Sequence, residues 1–375
     1  MREHLPGGMA ANEFLRLHWQ RKPLLVRNAI PGVRAWPGKR GLFALARRAD
    51  VESRLVSHGG GRWRVDHGPL AREKLARAPT RGWTLLVQGV NLHCAPVEQL
   101  LRRFAFLPQA RLDDVMVSYS APGGGVGAHY DGYDVFLLQG PGRRVWRLER
   151  TRRFAEVPDV PLRLIADFVP QEEYLLEPGD LLYLPPGWGH EGVALEQSWT
   201  YSIGFRAPRR AELAVAFLDY LQERGFADEA YRDPGLRTTR RPARIDSRML
   251  RFAESTLRAI RWSHRDVQAC LGCFLTTPKP HVVFRRPRRP RSRARFVADL
   301  PRGTVRLDPR TQLLYCGERF FLNGEEIIPR KTQQAALAQL ADRRRLAGAT
   351  LARRGLGDLL YGWYEDGCLD LERAP

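Results

Sequence analysis

The residues best equipped for chemistry stand in two short segments. The first is His129-Tyr130-Asp131, set between the glycine run 123–125 and the apolar run Val135-Phe136-Leu137-Leu138. The second runs Glu177-Pro178-Gly179-Asp180-Leu181-Leu182-Tyr183-Leu184-Pro185-Pro186-Gly187-Trp188-Gly189-His190. Side chains two apart on a strand share a face, so H-x-D at the mouth of a strand offers an imidazole and a carboxylate to one metal ion. A Pro-Gly-Asp turn, an apolar strand and a tight Pro-Pro-Gly turn then deliver a second imidazole. Two histidines and one carboxylate leave three positions open on the metal, the facial set that suits non-haem Fe(II) and O2. H-x-D alone is a weak signal. Its combination with a distal histidine behind those two turns carries the expectation that His129, Asp131 and His190 bind a metal.

Between these segments lies Gly140-Pro141-Gly142-Arg143-Arg144-Val145-Trp146-Arg147-Leu148. The Gly-Pro-Gly sequence predicts a hairpin turn with a return strand from about residue 143. Period two then places Arg144, Trp146 and Leu148 on one face. A cation on an apolar face is costly without a partner, and a co-substrate carboxylate held bidentately by the guanidinium is a natural one. A structural salt bridge or an exposed edge arginine fits the pattern as well. The glycine run lacks the Lys-Ser/Thr of a phosphate loop and precedes a strand. It reads as close backbone approach at the rim of a pocket.

The elements that position these groups are short. Asn12–Trp19 reads as an amphipathic helix, and Pro23–Arg27, Arg81–Val90 and Asp114–Ser120 read as strands. Residues 208–280 change character. Arg210–Arg224 carries Leu213, Ala216, Phe217, Tyr220 and Leu221 at helical spacing, and Ser247–Phe274 contains a second helical region. So little helix cannot enclose its own core, which predicts packing on the first domain or on a second copy. Seven arginines lie between 285 and 295, broken by prolines. That tract predicts an exposed linker without regular helix, open equally to nucleic acid or to solvent. In the last stretch, Leu313–Cys316 and Arg319–Leu322 read as strands, Asn323-Gly324 as a hairpin turn, and Gln333–Arg345 and Leu356–Glu365 as helices. Strands and helices in that order fit a winged-helix-like module.

The 375 residues are 43% hydrophobic and 27% charged, which excludes a mostly disordered or collagen-like chain. No run is long and apolar enough to span a membrane, and the N-terminal residues read as neither signal nor anchor. Five scattered cysteines exclude a disulfide framework and fit a reducing cytoplasm. Cys270 and Cys273 have C-x-x-C spacing but no second ligand pair for zinc. The formal charge is +20, and lysine stands only at positions 22, 39, 74, 279 and 331, so nearly all the bases are arginine. A polyanionic partner such as RNA, or a coding bias toward arginine on a solvated surface, accounts for it.

The motifs carry a resemblance. Phe14-Leu15, His18-Trp19, Lys22-Pro23-Leu24-Leu25, Gly127 to Gln139, Gly142 to Trp146, Gly179 to His190 and Ser202-Ile203-Gly204-Phe205-Arg206 resemble the JmjC-type 2-oxoglutarate oxygenases. Within these, they resemble the bacterial ribosomal oxygenases that hydroxylate an arginine of ribosomal protein uL16. The resemblance covers most of residues 10–207. It implies an α+β chain: a double-stranded β-helix of the cupin/JmjC jelly-roll type over 1–207, a helical dimerisation region over 208–280, a basic linker over 281–296, and a winged-helix-like domain over 297–375. It implies Fe(II), 2-oxoglutarate and O2 as cofactor and co-substrates, with His129, Asp131 and His190 as iron ligands. It also implies that Arg144 holds the C5 carboxylate of 2-oxoglutarate. Thr200 and Ser202 face the same way on the strand after His190, and either can touch the co-substrate. The expected protein is a cytoplasmic homodimer acting on uL16, with RNA contact through its basic surface and no membrane association. The alternatives are a JmjC hydroxylase acting on histidine or lysine of another protein, and a non-enzymatic cupin-like metal- or RNA-binding regulator. Because a basic target would be repelled at long range, acids such as Asp113, Asp114 and Asp134 are expected to line the pocket mouth.

Overall fold

The computed structural model describes residues 4–150, 155–226 and 228–373. Twelve strands lie before residue 206: β1 (Leu24–Val26), β2 (Ser53–Gly59), β3 (Arg62–His67), β4 (Trp83–Val87), β5 (Leu112–Ser120), β6 (His129–Tyr130), β7 (Val135–Gln139), β8 (Arg144–Arg150), β9 (Glu172–Leu176), β10 (Leu181–Leu184), β11 (Trp188–Ala194) and β12 (Ser198–Phe205). They form a large sheet in the order β1-β10-β7-β12-β5-β4-β2-β3 and a small one in the order β6-β11-β8-β9. From β5 onward the chain passes back and forth between the two, which makes the double-stranded β-helix.

The large sheet is covered on both faces. Val135 and Leu137 of β7, with Leu182 and Leu184 of β10, meet Trp146, Leu148 and Leu176 of the small sheet. Phe136 and Leu138 point the other way, into a core with Phe14, Phe104, Tyr183, Tyr201 and Phe205. Strands buried on both faces read as unbroken apolar runs, which is why 135–138 and 181–184 show no polar alternation. Helix Ala11–Leu17 delivers Phe14 edge-on to Tyr183, 4.9 Å between ring centres. Asp180 fixes the entry to β10 by accepting hydrogen bonds from the Asn28 and Glu177 amides and from Arg27.

Gly140-Pro141-Gly142 is not a hairpin turn. β7 pairs with β10 and β12, whereas β8 pairs with β11 and β9. The turn therefore carries the chain from one sheet to the other, pressed against β12: a Cβ on Gly142 would lie 2.2 Å from the Gln197 carbonyl oxygen.

Helix Arg210–Glu223 follows, and Gly225 ends it at φ +84°. The second helical region is two helices, Ser247–Ala259 and His264–Thr276, divided where Ser263 and Asp266 form a capping box. The stripe containing Phe217 is used internally: Phe217 packs edge-on to Trp262, and Leu221 is buried. The open apolar side chains include Val215, Leu218, Met249, Leu250 and Leu257, and Trp262 itself is 60% exposed.

The arginine tract departs from the expected linker. Ser292 caps a helix over Arg293–Asp299, which begins three residues after the last proline of the tract, where helix is again permitted. Arg285, Arg286, Arg291, Arg293 and Arg295 pair with Asp50, Asp366, Asp299, Asp358 and Asp299. The tract is thus a strap whose arginines pair with Asp50 of the first domain and with acids of the last module. That module has its own core of Phe296, Leu300, Leu313, Phe320, Leu337, Leu340 and Leu360. Asn323 and Gly324 both have positive φ, as a two-residue hairpin turn requires. Among the described residues no helix is long and apolar enough to cross a membrane.

Candidate active site

His129 of β6 and His190 of β11 are direct cross-strand partners, with ring centres 4.3 Å apart. Asp131 lies just beyond β6, its carboxylate 3.8 Å from His190 Nε2. One ligand atom from each of the three lies within 4.8 Å of the others. The two histidines are held alike: Nδ1 of His129 bonds the Gly127 carbonyl and Nδ1 of His190 that of Trp188, each at 3.0 Å. A carbonyl partner requires Nδ1 to carry the proton, which leaves Nε2 as the free ligand atom on both rings. Burial, with help from His129, pushes His190 down to about 4 against the opposing effects of Asp131 and the Trp188 carbonyl. Its neutral form is the one that binds a metal. Asp131 is further tied down by its backbone, whose carbonyl accepts from the Gly187 amide at 2.8 Å.

The inner face of the small sheet runs from this cluster to Arg144. The register sets Leu148 beside His190, Trp146 beside Gly192 and Arg144 beside Ala194. Arg144 and Leu148 are four residues apart, or about 13 Å of strand. The Trp146 ring fills the middle, 5.9 Å from the His190 ring and 5.7 Å from the Arg144 guanidinium. It fits because residue 192 is glycine: a Cβ there would come 2.7 Å from the indole. Arg144 is 4% exposed. Its Nη2 donates to the Ser120 hydroxyl, with Ser198 at 3.5 Å, and no carboxylate pairs with it among the described residues. Burial alone lowers it to about 10, so it stays charged at neutral pH. Arg144 Nε, Trp146 Nε1 and Thr200 Oγ1 are buried polar atoms without a protein partner. A buried cation, an unused hydroxyl and unused N–H groups at the closed end of a chamber fit an anionic ligand.

Thr200 and Ser202 lie on the same face of β12 as Ser198, but not at the same depth. Thr200 is 1% exposed, next to the Arg144 end, whereas Ser202 is half-buried and nearer the opening. Arg143 points outward and pairs with Glu196 at 2.9 Å.

The three expected mouth acids separate. Asp134 is fully buried in the other core, where it accepts from Tyr183, Gln20 and Arg111. It is structural, because its neighbours Val135 and Phe136 open a strand buried on both sides. Asp114 is in phase with Met116, Ser118 and Ser120 along β5, so it faces the chamber. A Cβ on Gly204 would lie 3.9 Å from Asp114 Oδ1 and 4.0 Å from Tyr133 Cε2, which brings these two side chains together at the mouth. Tyr133 keeps 41% of its surface exposed. Its phenol is nevertheless pushed up by burial and by Asp131, Asp114 and Asp113, so the hydroxyl end is enclosed among carboxylates. Tyr133, Ser120, Ser198 and the partitioning role of Trp146 are additions that the structure makes to the expected set. Period-two alternation on β5 and β12 was the available signal for the two serines.

Comparison with known proteins follows this geometry closely. Residues 99–213 match the JmjC domain model, and residues 259–370 match that of a ROXA-like winged helix. Ribosomal protein uL16 3-hydroxylase of Escherichia coli (strain K12) is 37% identical over 87% of this chain and 88% of its own length. A probable ribosomal oxygenase of Haemophilus influenzae is 33% identical over 74% of this chain and 69% of its own. The structure of YcfD, a ribosomal oxygenase from Escherichia coli, in complex with cobalt and 2-oxoglutarate superposes with a TM-score of 0.81 at 34% identity. That match covers 96% of this chain and 98% of that one.

Proposed function

Because the chain belongs to the JmjC-domain ribosomal oxygenases, we propose that it uses Fe(II), 2-oxoglutarate and O2 to hydroxylate an arginine side chain of ribosomal protein uL16. The observation that carries this reading is a His-Asp-His donor set and, farther along the same inner face of the small sheet, a buried guanidinium without a carboxylate partner among the described residues. Nε2 of His129, Nε2 of His190 and a carboxylate oxygen of Asp131 would hold the metal. When bound, Fe(II) supplies the coupling of O2-driven decarboxylation of 2-oxoglutarate to insertion of one oxygen atom into a substrate C–H bond.

The protein's own part is to bind, orient and exclude water. Arg144 receives the far carboxylate of the co-substrate through a charge-assisted fork. Thr200 is placed to donate its hydroxyl proton to the same carboxylate, and its depth favours it over Ser202. Trp146, Leu137 and Leu148 wall the chamber with apolar surface. At the open end the Asp114 carboxylate takes the substrate guanidinium while the Tyr133 ring lies against it. The division of labour proposed is chemistry over 1–207, self-association over 208–280, a strap over 281–296 and a winged-helix module over 297–375. RNA contact is proposed through the basic surface, where Arg288 and Arg289 of the tract are exposed and carry no ion pair among the described residues. With a ribosomal protein as substrate, the compartment proposed is the cytoplasm.

The test is to incubate uL16 with the purified chain, Fe(II) and 2-oxoglutarate and to locate the added oxygen by tandem mass spectrometry. Oxygen on an arginine supports the reading. Oxygen only on histidine or lysine keeps the oxygenase and sinks the arginine substrate.

Helix Ser247–Ala259 has no buried residue, and Met249, Leu250 and Leu257 are about half exposed or more. Exposed apolar stripes of this kind mark association surfaces, so the chain is expected to be a homodimer. Sedimentation at micromolar concentration should give a dimer, and Leu250→Glu with Leu257→Glu should give a monomer. A monomeric wild-type particle would contradict the assignment.

A further inference from the structure

We propose that Lys279 is a positioning residue for this reaction: it holds the Asp114 carboxylate ionised and turned toward the chamber mouth, where the substrate cation binds. This rests on the arginine substrate proposed above. Lys279 belongs to the segment that follows helix His264–Thr276 and crosses the start of β5. Its Nζ lies 2.9 Å from Asp113 Oδ1 and 3.4 Å from Asp114 Oδ2.

The two oxygens of Asp114 face different surroundings. Oδ2 meets Lys279 and lies 3.9 Å from the Cβ position of Gly89, whose amide also hydrogen-bonds the carboxylate. Oδ1 lies on the side of Gly204 and Tyr133. Lys279 therefore clamps one oxygen from behind and leaves the other facing the mouth. Asp113, Asp114 and Lys279 together carry one net negative charge, which a single incoming guanidinium neutralises.

The clamp matters because Asp114 is 8% exposed. Burial raises its carboxyl to about 6 even with Lys279 opposing, and Asp113 adds to the rise. The other charged or titratable groups around it are Tyr133 across the mouth and Arg206, His281 and Arg310 in the groove beside Lys279. Arg206 donates to the Leu275 carbonyl and Arg310 pairs with Asp308, so Lys279 is the cation on Asp114 among the described residues. Burial would lower the Lys279 ammonium, but Asp114 and Asp113 outweigh it and the group stays charged.

Sign and size follow. Asp114 binds a cation only when ionised, so the KM for the peptide falls as pH rises through about 6. An opposite charge at this distance is worth about one pH unit or more. In Lys279→Met the acid limb should move up by that amount, and the peptide KM should rise about threefold near pH 6.5, approaching about tenfold below about pH 5.5, with almost no change at about pH 8.5. The kcat and the KM for 2-oxoglutarate should stay within about twofold, and Lys279→Arg should restore the wild-type profile.

The experiment uses the full-length chain and a uL16 fragment containing the target arginine. It also follows the Asp114 side-chain carboxyl by carbon-13 NMR, assigned with Asp114→Asn. An upward midpoint shift in Lys279→Met, with the KM rise and its rescue by arginine, supports the proposal. A midpoint that does not move overturns it. So does a shifted midpoint with an unchanged peptide KM, because Asp114 then does not touch substrate. If the wild-type chain puts no oxygen on arginine, the substrate reading itself fails. That failure appears in the wild type and is distinct from the variant outcomes.

Discussion

His129→Ala is expected to lose Fe(II) binding and with it all turnover of 2-oxoglutarate. Among the described residues only three protein ligand atoms converge on the site, and two rarely hold Fe(II) well. Partners that merely orient a ligand are worth about 10–100-fold in metal affinity, so deleting a ligand costs more than that. His190→Ala should behave in the same way. His129→Ala is the cleaner variant, because His129 is half-buried whereas His190 is 3% exposed and its removal also leaves a cavity. Asp131→Ala removes the anionic ligand and should do nearly as much. Titration with Fe(II) under anaerobic conditions, followed by the 2-oxoglutarate turnover assay, checks all three. Normal turnover in either histidine variant would remove the metal assignment.

Arg144→Ala is expected to raise the apparent KM for 2-oxoglutarate while Fe(II) still binds. A desolvated, charge-assisted pair is worth about 2–5 kcal/mol, which corresponds to roughly 30- to 4,000-fold. The same variant should not destabilise the ligand-free protein. Arg144 lacks a carboxylate partner among the described residues, and removing a buried unpaired charge relieves a desolvation penalty. A structural arginine would show the opposite pair of results, a lower melting temperature with an unchanged KM. Arg143→Ala serves as the control: its side chain is exposed on Glu196, and its KM for 2-oxoglutarate should equal that of the wild type.

Much of this site was legible before the structure because its parts follow local rules. H-x-D spacing and the Pro-Pro-Gly turn act over a few residues, and period two fixed the face of Arg144. What the sequence could not reveal depends on which sheet each strand joins. Gly140-Pro141-Gly142 has the composition of a hairpin, yet it crosses between sheets because β8 finds β11 and β9 as partners. Asp134 looks like its neighbour acids, but it sits where the strand turns into a doubly covered core and spends its charge on Tyr183, Gln20 and Arg111. The ion pairs of the arginine tract were not visible behind its reading as an exposed linker because its acidic partners are dispersed, from Asp50 to Asp366. The clamp of Lys279 on Asp114 joins residues 165 positions apart, beyond the reach of any local pattern. Ser263-x-x-Asp266 is the contrary case: the capping box was present in the sequence, and it marks the break between two helices that periodicity alone ran together.

The most direct test of the central claim is the mass of uL16 isolated from cells that lack this chain and from the same cells supplied with the wild type or with Arg144→Ala. The account predicts one additional oxygen atom, on an arginine, in the wild-type cells. It predicts none in cells without the chain and a greatly reduced fraction with Arg144→Ala. An identical arginine modification in cells with and without the chain would contradict it.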